Sequence, residues 1–420
     1  MVLFASAAAF AQTGPWSGQL DVQGTKLTIV FHLDDDDCKI DSPDQGVYGV
    51  PATLERTATG VKVTVASIGA SFEGQFMMKW IIGTFTQHGV SFPLTLNPGA
   101  PVRNRPQTPR APFPYRTEEV SFSNGDAVLK GTLTLPEGCT RETPVLIMVT
   151  GSGLQNRDEE FFEHKPFAVI ADALAREGIA TLRYDDRGFG ESTGDLVKVT
   201  TEDLKDDALA GIGLLRGRFD HVGVIGHSEG GTIAIMLAAE RKVDFVVSLA
   251  GSFVSGEKVL LQQNRDAFTK AGYAEEVVSL YCKKLEELFE NAKEGYIPEV
   301  RDTGLPAELE QNLQAVRMQA STPYLRYFLA LDVSDRLDKV ACPVLALNGT
   351  KDTQVLCEEN LTILEKGLGD LAEIHPVEGV NHLFQHCKTG DVSEYKDIEE
   401  TFAPEALGLI IGWLKRRIIF

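Results

Sequence analysis

The residues best suited to do chemistry lie in a glycine-flanked serine turn, Gly-His-Ser-Glu-Gly at 226–230. An apolar run at 222–225 precedes this turn, and a run rich in Ala, Ile, Leu and Met follows it. These runs favour a strand before the turn and a helix after it. A strand, a G-x-S-x-G turn and a helix predict a nucleophile elbow, which exposes the hydroxyl of Ser228 at the end of a sheet. The alternative is a Gly-rich turn that caps an ordinary helix.

A serine nucleophile needs a base to accept its proton and an acid to orient that base. In a doubly wound sheet these groups come from loops at the carboxyl ends of strands. Asp352 follows the predicted strand at 344–348, and His382 follows the predicted strand at 372–377. The order Ser, Asp, His is the one that the elbow motif requires. The sequence therefore predicts Ser228, Asp352 and His382 as a catalytic triad.

Three other histidines compete for the role of base. His375 lies inside a predicted strand, and His227 adjoins the serine within the turn and cannot fold back to it. His386 lies four residues after His382 and could replace it geometrically. His382 and His386 could also hold a metal ion together, but the glutamate of the H-E-x-x-H motif is missing. We therefore expect His382 to be the base and no metal to be bound.

An oxyanion hole needs two N–H groups aimed at one point. The backbone N–H of Glu229, directly after the serine, is the first predicted donor. The second is expected in the loop at 150–158, here called the oxyanion loop, with Ser152 as first choice and Gly153 or Leu154 next. The alternative is an ordinary Gly turn. The charged loop at 185–192 is predicted to support the oxyanion loop through Arg187 and its two aspartates rather than to be catalytic.

From residue 118 onward, strand patterns alternate with helix patterns, which predicts an α/β fold with a doubly wound, mostly parallel sheet. The alternation stops at about 255–336, which is predicted to be helical throughout and to form a lid. An aromatic stripe at 324–331 could line an acyl pocket or could only pack the lid onto the body. No P-loop lysine motif and no G-x-G-x-x-G after a first strand are present, so no cofactor is expected.

The chain before residue 118 shows three other patterns. Residues 1–11 are apolar and end in an Ala-x-Ala-like cleavage site, so we expect the remnant of a secretory signal and a secreted or periplasmic protein, although the positive n-region is missing. Residues 12–100 alternate as in an all-β accessory domain, and 101–117 is a Pro-rich linker. The four aspartates at 34–37 fit a solvated hairpin tip better than a Ca²⁺ site, because the loop spacing of such a site is absent.

Composition excludes several classes of function. The chain has 420 residues and a formal net charge of −20, which argues against nucleic-acid partners and against anionic membrane surfaces. Six cysteines without C-x-x-C spacing exclude the usual zinc patterns, and their pairing cannot be deduced. No later segment has the length and apolarity of a transmembrane helix. Oligomeric state is not predicted.

Residues 118–420 resemble the α/β-hydrolase superfamily, and within it the bacterial serine esterases related to prolyl-oligopeptidase-type peptidases. The resemblance rests on the motifs at 226–230, 184–192, 349–352 and 381–382. It implies Ser228, Asp352 and His382 as the triad. In this superfamily the oxyanion loop often begins His-Gly, whereas here it begins Thr-Gly. The β domain is also similar to one found in front of some exported bacterial hydrolases.

These observations together predict a carboxylesterase that acts through an acyl-enzyme on small or medium acyl esters. A prolyl-oligopeptidase-type peptidase and an acyltransferase would use the same triad, so the motifs do not separate these three activities. A further hypothesis is a non-catalytic binding protein in which the β domain carries the function.

Overall fold

The computed structural model describes residues 13–22, 25–45, 47–57, 59–101 and 103–418. The predicted signal-peptide remnant at 1–11 lies outside the described residues. The chain divides into two compact units. The first comprises Met1–Asn104 with Phe161–Glu163, and the second comprises Arg105–Glu160 and His164–Phe420.

The first unit is built on one antiparallel sheet of nine strands in the order β4-β3-β2-β1-β9-β8-β7-β6-β5. The strands are β1 (Pro15–Val22), β2 (Thr25–His32), β3 (Lys39–Ser42), β4 (Val47–Pro51), β5 (Thr53–Arg56), β6 (Gly60–Val65), β7 (Ala70–Met77), β8 (Trp80–Gln87) and β9 (Val90–Pro98). The two edge strands, β4 and β5, are separated in sequence only by Ala52, so the sheet is nearly closed. Alternating residues of its strands, such as Val61, Val63 and Val65 of β6, fill a core of their own.

The acidic tip at 34–37 connects β2 to β3 and is held by local contacts. Asp35 pairs with Arg56, and Asp37 pairs with Lys39 at 2.6 Å. Within the described part of the chain, no group of three His, Cys, Asp or Glu side chains could hold a metal ion. The tip is a loop between the antiparallel strands β2 and β3.

The second unit contains an eight-stranded sheet in the order β10-β11-β13-β12-β14-β15-β16-β17. Its strands are β10 (Arg116–Asn124), β11 (Ala127–Leu135), β12 (Val145–Val149), β13 (Ala180–Tyr184), β14 (Val222–His227), β15 (Val246–Leu249), β16 (Val344–Gly349) and β17 (Ala372–Val377). β10 and β11 form an antiparallel hairpin, β11 joins β13 antiparallel, and the remaining pairs are parallel. This confirms the predicted mostly parallel, doubly wound sheet.

Helices cover both faces of this sheet. The helices of the second unit are α1 (Pro166–Arg176), α2 (Thr201–Arg216), α3 (Glu229–Ala239), α4 (Gly256–Lys270), α5 (Glu275–Lys293), α6 (Ala307–Ala320), α7 (Pro323–Ala330), α8 (Cys357–Leu368) and α9 (Pro404–Arg417). α2, α3 and α8 pack on one face, and α1 and α9 pack on the other. Strand β12 is buried on both sides because Ile147 points to the first layer and Leu146 to the second.

The predicted lid corresponds to α4–α7, which are inserted between β15 and β16. These helices enclose their own apolar core, and the stripe on α5 that includes Tyr281, Leu285 and Leu288 lies in it as its spacing predicts. The expectation of a continuously helical insertion was wrong at 294–306, which is irregular. Pro298 lies in that segment, and Gly295 and Gly304 adopt positive φ, so α5 cannot continue through it.

The Pro-rich segment differs from the predicted linker in its boundaries. β10 already begins at Arg116, and the second unit begins at Arg105. The Arg105 guanidinium donates to the carbonyls of Ile398 and Lys396 at 2.7 and 3.0 Å. The segment is thus attached to the second unit by side-chain bonds to main-chain carbonyls, which proline content alone does not reveal.

Candidate active site

Ser228 lies between the end of β14 and the start of α3 with φ 53° and ψ −118°. A residue with a Cβ adopts this backbone conformation only where its surroundings enforce it. A Cβ on Gly226 would lie 2.0 Å from the carbonyl oxygen of Gly230, and one on Gly230 would lie 2.1 Å from that of Val149. Both positions therefore require glycine. The strained turn leaves the half-buried Ser228 side chain at the carboxyl edge of the parallel sheet.

The predicted acid and base lie together at the same edge of the sheet. β16 and β17 are parallel and in register to Gly349 and Val377, so the loops that follow them leave the sheet side by side. Nδ1 of His382 lies 2.7 Å from Oδ2 of Asp352, and both side chains are buried, at 6% and 0% exposure. With a proton on Nδ1 shared with the carboxylate, Nε2 is the nitrogen available to accept a proton.

His382 lies next to the residue that precedes Ser228, and no hydrogen bond joins it to the serine. The ring centroids of His227 and His382 are 4.7 Å apart, so the candidate base lies beside the residue that precedes Ser228. Within the described part of the chain, Oγ of Ser228 takes part in no hydrogen bond. Such contacts are often long before substrate binds. The catalytic roles of the three residues stay a prediction.

The oxyanion loop follows β12 and passes next to the serine. A Cβ on Gly151 would lie 3.1 Å from Cβ of Ser228. The N–H of Gly151 donates to Oε1 of Glu159 at 2.8 Å and is therefore occupied. Among the residues that the structure describes, no acceptor is found for the N–H groups of Glu229, Ser152, Gly153 and Leu154. The two predicted donors thus remain free, and the choice among 152–154 stays a prediction.

The side chain of Glu229 is held by the lid. Its Oε1 accepts a hydrogen bond from Oγ1 of Thr201 at 2.7 Å, and its Oε2 accepts one from the phenol of Tyr324 on α7. Burial and the Glu229 carboxylate raise the pKa of the Tyr324 phenol, which also contacts the Ser152 side chain. Tyr327 donates to Glu202 at 2.6 Å. These bonds attach the lid to the body, whereas the suggestion that the aromatic stripe lines an acyl pocket stays a prediction.

The loop after β13 supports the oxyanion loop through its aspartates. Asp186 accepts hydrogen bonds from Oγ1 of Thr150 at 2.9 Å and from the N–H of Gln155 at 2.8 Å. Burial raises the pKa of Asp186 to about 8. The part assigned to Arg187 was wrong, because its guanidinium forms a bidentate pair with Asp207 of α2 at 2.6 Å.

The sequence analysis missed the part played by Glu159 and His227. Nδ1 of His227 lies 2.9 Å from Oε1 of Glu159, and Nε2 lies 2.9 Å from the carbonyl oxygen of His382. The two residues are 68 positions apart, and no spacing rule connects them. The available signal was His227 itself, a polar residue at the end of an apolar strand, which needs partners once it is buried.

The competing histidines are engaged elsewhere. His386 is half-exposed and lies 2.8 Å from both Glu400 and Glu405. His375 lies on the edge strand β17, where its Nε2 is 3.0 Å from Glu373. Neither is joined to Asp352, so the structure favours His382 among the candidate bases.

All six cysteines are free, and the described residues contain no cluster of three metal-ligating side chains. No helix within the described ranges is long and apolar enough to cross a membrane.

The sequence of the chain matches a known protein family. The family model described as X-Pro dipeptidyl-peptidase (S15 family) matches residues 124–382, from the end of β10 to the candidate base. The chain is also 32% identical over 156 residues to the esterase EstD of Thermotoga maritima. That match spans 36% of this chain and 38% of EstD.

The chain is distantly similar to several solved structures, among them two esterases and a peptidase. An esterase of Pyrococcus furiosus is 17% identical with a TM-score of 0.47, covering 76% of this chain and 100% of its own. Est1E of Butyrivibrio proteoclasticus is 16% identical with a TM-score of 0.44, covering 72% and 100%. A proline iminopeptidase of Mycobacterium smegmatis is 17% identical with a TM-score of 0.45, covering 72% and 99%.

Proposed function

We propose, from the premise that this chain belongs to the X-Pro dipeptidyl-peptidase (S15) family of α/β-hydrolases, that it is a carboxylesterase that acts through an acyl-enzyme. The observation that carries this proposal is the buried 2.7 Å contact between His382 and Asp352 at the sheet edge where Ser228 follows β14. The choice of an ester substrate is supported by the esterase EstD.

In the proposed reaction, Oγ of Ser228 attacks the ester carbonyl while Nε2 of His382 accepts its proton. Asp352 holds the proton on Nδ1 and stabilises the imidazolium that forms. The negative oxygen of the tetrahedral intermediate accepts hydrogen bonds from the N–H groups of Glu229 and Ser152, each worth about 3 kcal/mol. The imidazolium then returns its proton to the departing alcohol, which leaves Ser228 acylated.

Deacylation repeats these steps with water. His382 takes a proton from the water molecule as its oxygen attacks the acyl carbon, and the imidazolium then returns that proton to Oγ of Ser228 as the acid product leaves. The free N–H groups of the oxyanion loop serve both half-reactions, since the same oxygen carries the negative charge each time. Small or medium acyl groups are proposed, and the acceptor alcohol is left open.

A second candidate function is a peptidase that acts on X-Pro substrates, which the family description favours. An amide would form the same acyl-enzyme, with His382 protonating the departing amine. An acyltransferase would differ only in delivering the acyl group to an alcohol instead of water. These activities are separated by the leaving group and by the acceptor, so each has its own assay.

The test is a panel of p-nitrophenyl acetate and butyrate, X-Pro-p-nitroanilides, and p-nitrophenyl butyrate with an added alcohol. The esterase proposal predicts rapid release of p-nitrophenol and free acid, with the anilides cleaved far more slowly. A preference for the anilides by kcat/KM would overturn it in favour of the peptidase. Transfer of most acyl groups to the alcohol would overturn it in favour of the acyltransferase. The variant Ser228→Ala supplies the background rate.

A further inference from the structure

A second acid and imidazole pair lies directly behind the candidate triad. Glu159 follows the oxyanion loop, and His227 is the last residue of β14. Both residues are buried, at 4% and 6% exposure, and neither takes part in the proposed proton transfers. Their side chains meet at 2.9 Å between Oε1 and Nδ1.

The hydrogen-bond partners of His227 indicate how many protons its ring carries. Nδ1 faces the Glu159 carboxylate, and Nε2 faces the main-chain carbonyl of His382, which can only accept. Oε1 of Glu159 also accepts the N–H of Gly151. A ring that lies between two acceptors must donate from both nitrogens, which makes it an imidazolium paired with a carboxylate. Burial is the largest influence and lowers the pKa of His227, but the Glu159 carboxylate, the His382 carbonyl and Asp352 together raise it above its usual value.

Most side chains around the Glu159–His227 pair are apolar. A small cavity of about 10 Å³ beside Glu159 and His227 is lined otherwise by apolar groups, Pro166, Phe167, Ile170, Leu249, Leu383, Phe384 and Phe402. Two opposite charges in such an apolar site attract each other strongly, so the two side chains tolerate little displacement. The pair is therefore a rigid connection rather than a surface ion pair.

We propose that Glu159 and His227 form a charged positioning pair that holds the oxyanion loop and the main chain of His382 in place around Ser228. Glu159 binds the loop through the Gly151 N–H, one residue before Ser152, and His227 binds the base through its carbonyl. The inference rests on the proposed function, because it concerns the same serine, base and oxyanion donors.

The experiment compares His227→Gln and Glu159→Gln with His375→Gln, a histidine on the edge strand away from the site. We expect kcat for p-nitrophenyl butyrate to fall about 10- to 100-fold in the first two variants with little change in KM, because catalytic groups are displaced. The His375 variant should match wild type in both. Melting curves verify that each variant is folded.

A spectroscopic measurement keeps the inference testable even where a variant fails to fold. In wild-type protein with ¹⁵N-labelled histidine, we expect one buried ring with protons on both nitrogens at neutral pH, and the folded His227→Gln protein should lack it. A singly protonated His227 ring, or a wild-type kcat in both Gln variants, would overturn the inference. If the wild type neither hydrolyses esters nor reacts with a fluorophosphonate, the proposed function fails, whereas the ring signal still tests the pair.

Discussion

Asp352 uses its two carboxylate oxygens for different partners. Oδ2 lies 2.7 Å from Nδ1 of His382, whereas Oδ1 accepts the N–H groups of Gln354 and Val355 at 2.8 and 2.9 Å. The backbone bonds fix the carboxylate, and the carboxylate fixes the imidazole. The orientation of the base therefore depends on the turn after β16 as much as on the acid itself.

Replacing Asp352 by Asn should inactivate the enzyme without unfolding it. The amide oxygen can still accept the two backbone N–H groups, which directs the amide NH₂ toward Nδ1 of His382. The ring then carries its proton on Nε2, the wrong nitrogen for a base. We expect kcat to fall about 10⁴-fold with little change in the urea midpoint. The control is Asp370→Asn, an exposed residue, and near-normal activity in Asp352→Asn would refute the assigned tautomer role.

Removing the phenol of Tyr324 should affect catalysis more than removing that of Tyr327. Tyr324→Phe leaves the buried Oε2 of Glu229 without its donor, which costs about 1–3 kcal/mol, in the residue that supplies a proposed oxyanion N–H. We expect kcat/KM to fall about tenfold. Tyr327→Phe is the matched control on the same helix, since its partner Glu202 is half-exposed, and it should change kcat/KM less than about twofold. Equal losses of kcat/KM in the two variants would show that both phenols affect catalysis only by attaching the lid.

Gly226→Ala should prevent the elbow from forming. The new Cβ would lie 2.0 Å from the carbonyl oxygen of Gly230, and backbone cannot yield as a side chain can. We expect more than about 2 kcal/mol of lost unfolding free energy, or no soluble protein. Gly213→Ala, on the open side of α2 with no atom within 4 Å, should instead add about 0.5–1 kcal/mol. Urea unfolding measures both changes, and a stable Gly226→Ala protein contradicts the packing described for the turn.

The pH dependence of stability should report Asp186. Burial raises its pKa to about 8 in the folded protein, whereas an unfolded aspartate titrates near about 4. Its contribution to stability is therefore complete below about pH 4 and is lost as pH rises toward about 8, by at most about 1.4 kcal/mol per pH unit. Asp186→Asn mimics the neutral acid, so its stability relative to wild type should increase over this range. Unfolding free energies of both proteins at pH 5, 6, 7 and 8 test this prediction. A difference between variant and wild type that does not change with pH would mean that Asp186 is ionised in the native protein throughout this range.

The elements that carry the candidate triad were predictable from local patterns. The apolar strands before Ser228, Asp352 and His382 are strong signals, and parallel strands bring their carboxyl ends to one edge. The two glycines of the elbow follow from the close approach of strand and helix, which the 2.0 and 2.1 Å clearances show. The strands and the elbow glycines can thus be predicted from short stretches of sequence, and the shared edge follows from the parallel order of the strands.

The remaining contacts depend on tertiary packing that local patterns do not encode. Arg187 follows two aspartates that support the oxyanion loop, yet it pairs with Asp207 of α2. Glu159 reaches His227 only after β12 and β14 become neighbours. The break at 294–306 ends α5 at Gly295 and Pro298, two weak signals within a strongly helical composition. Partner choice among charged side chains was therefore the least predictable feature.

The most direct test of the central claim is to find which residue forms the covalent adduct with a fluorophosphonate. Peptide mapping by mass spectrometry should place a single adduct on Ser228 in the wild type, and Ser228→Ala should remain unmodified and lose p-nitrophenyl butyrate hydrolysis. Ser252→Ala, a neighbouring serine whose hydroxyl bonds the Val254 carbonyl, should label normally. An adduct on another residue, or a Ser228→Ala protein that still reacts and turns over at the wild-type rate, would contradict the account.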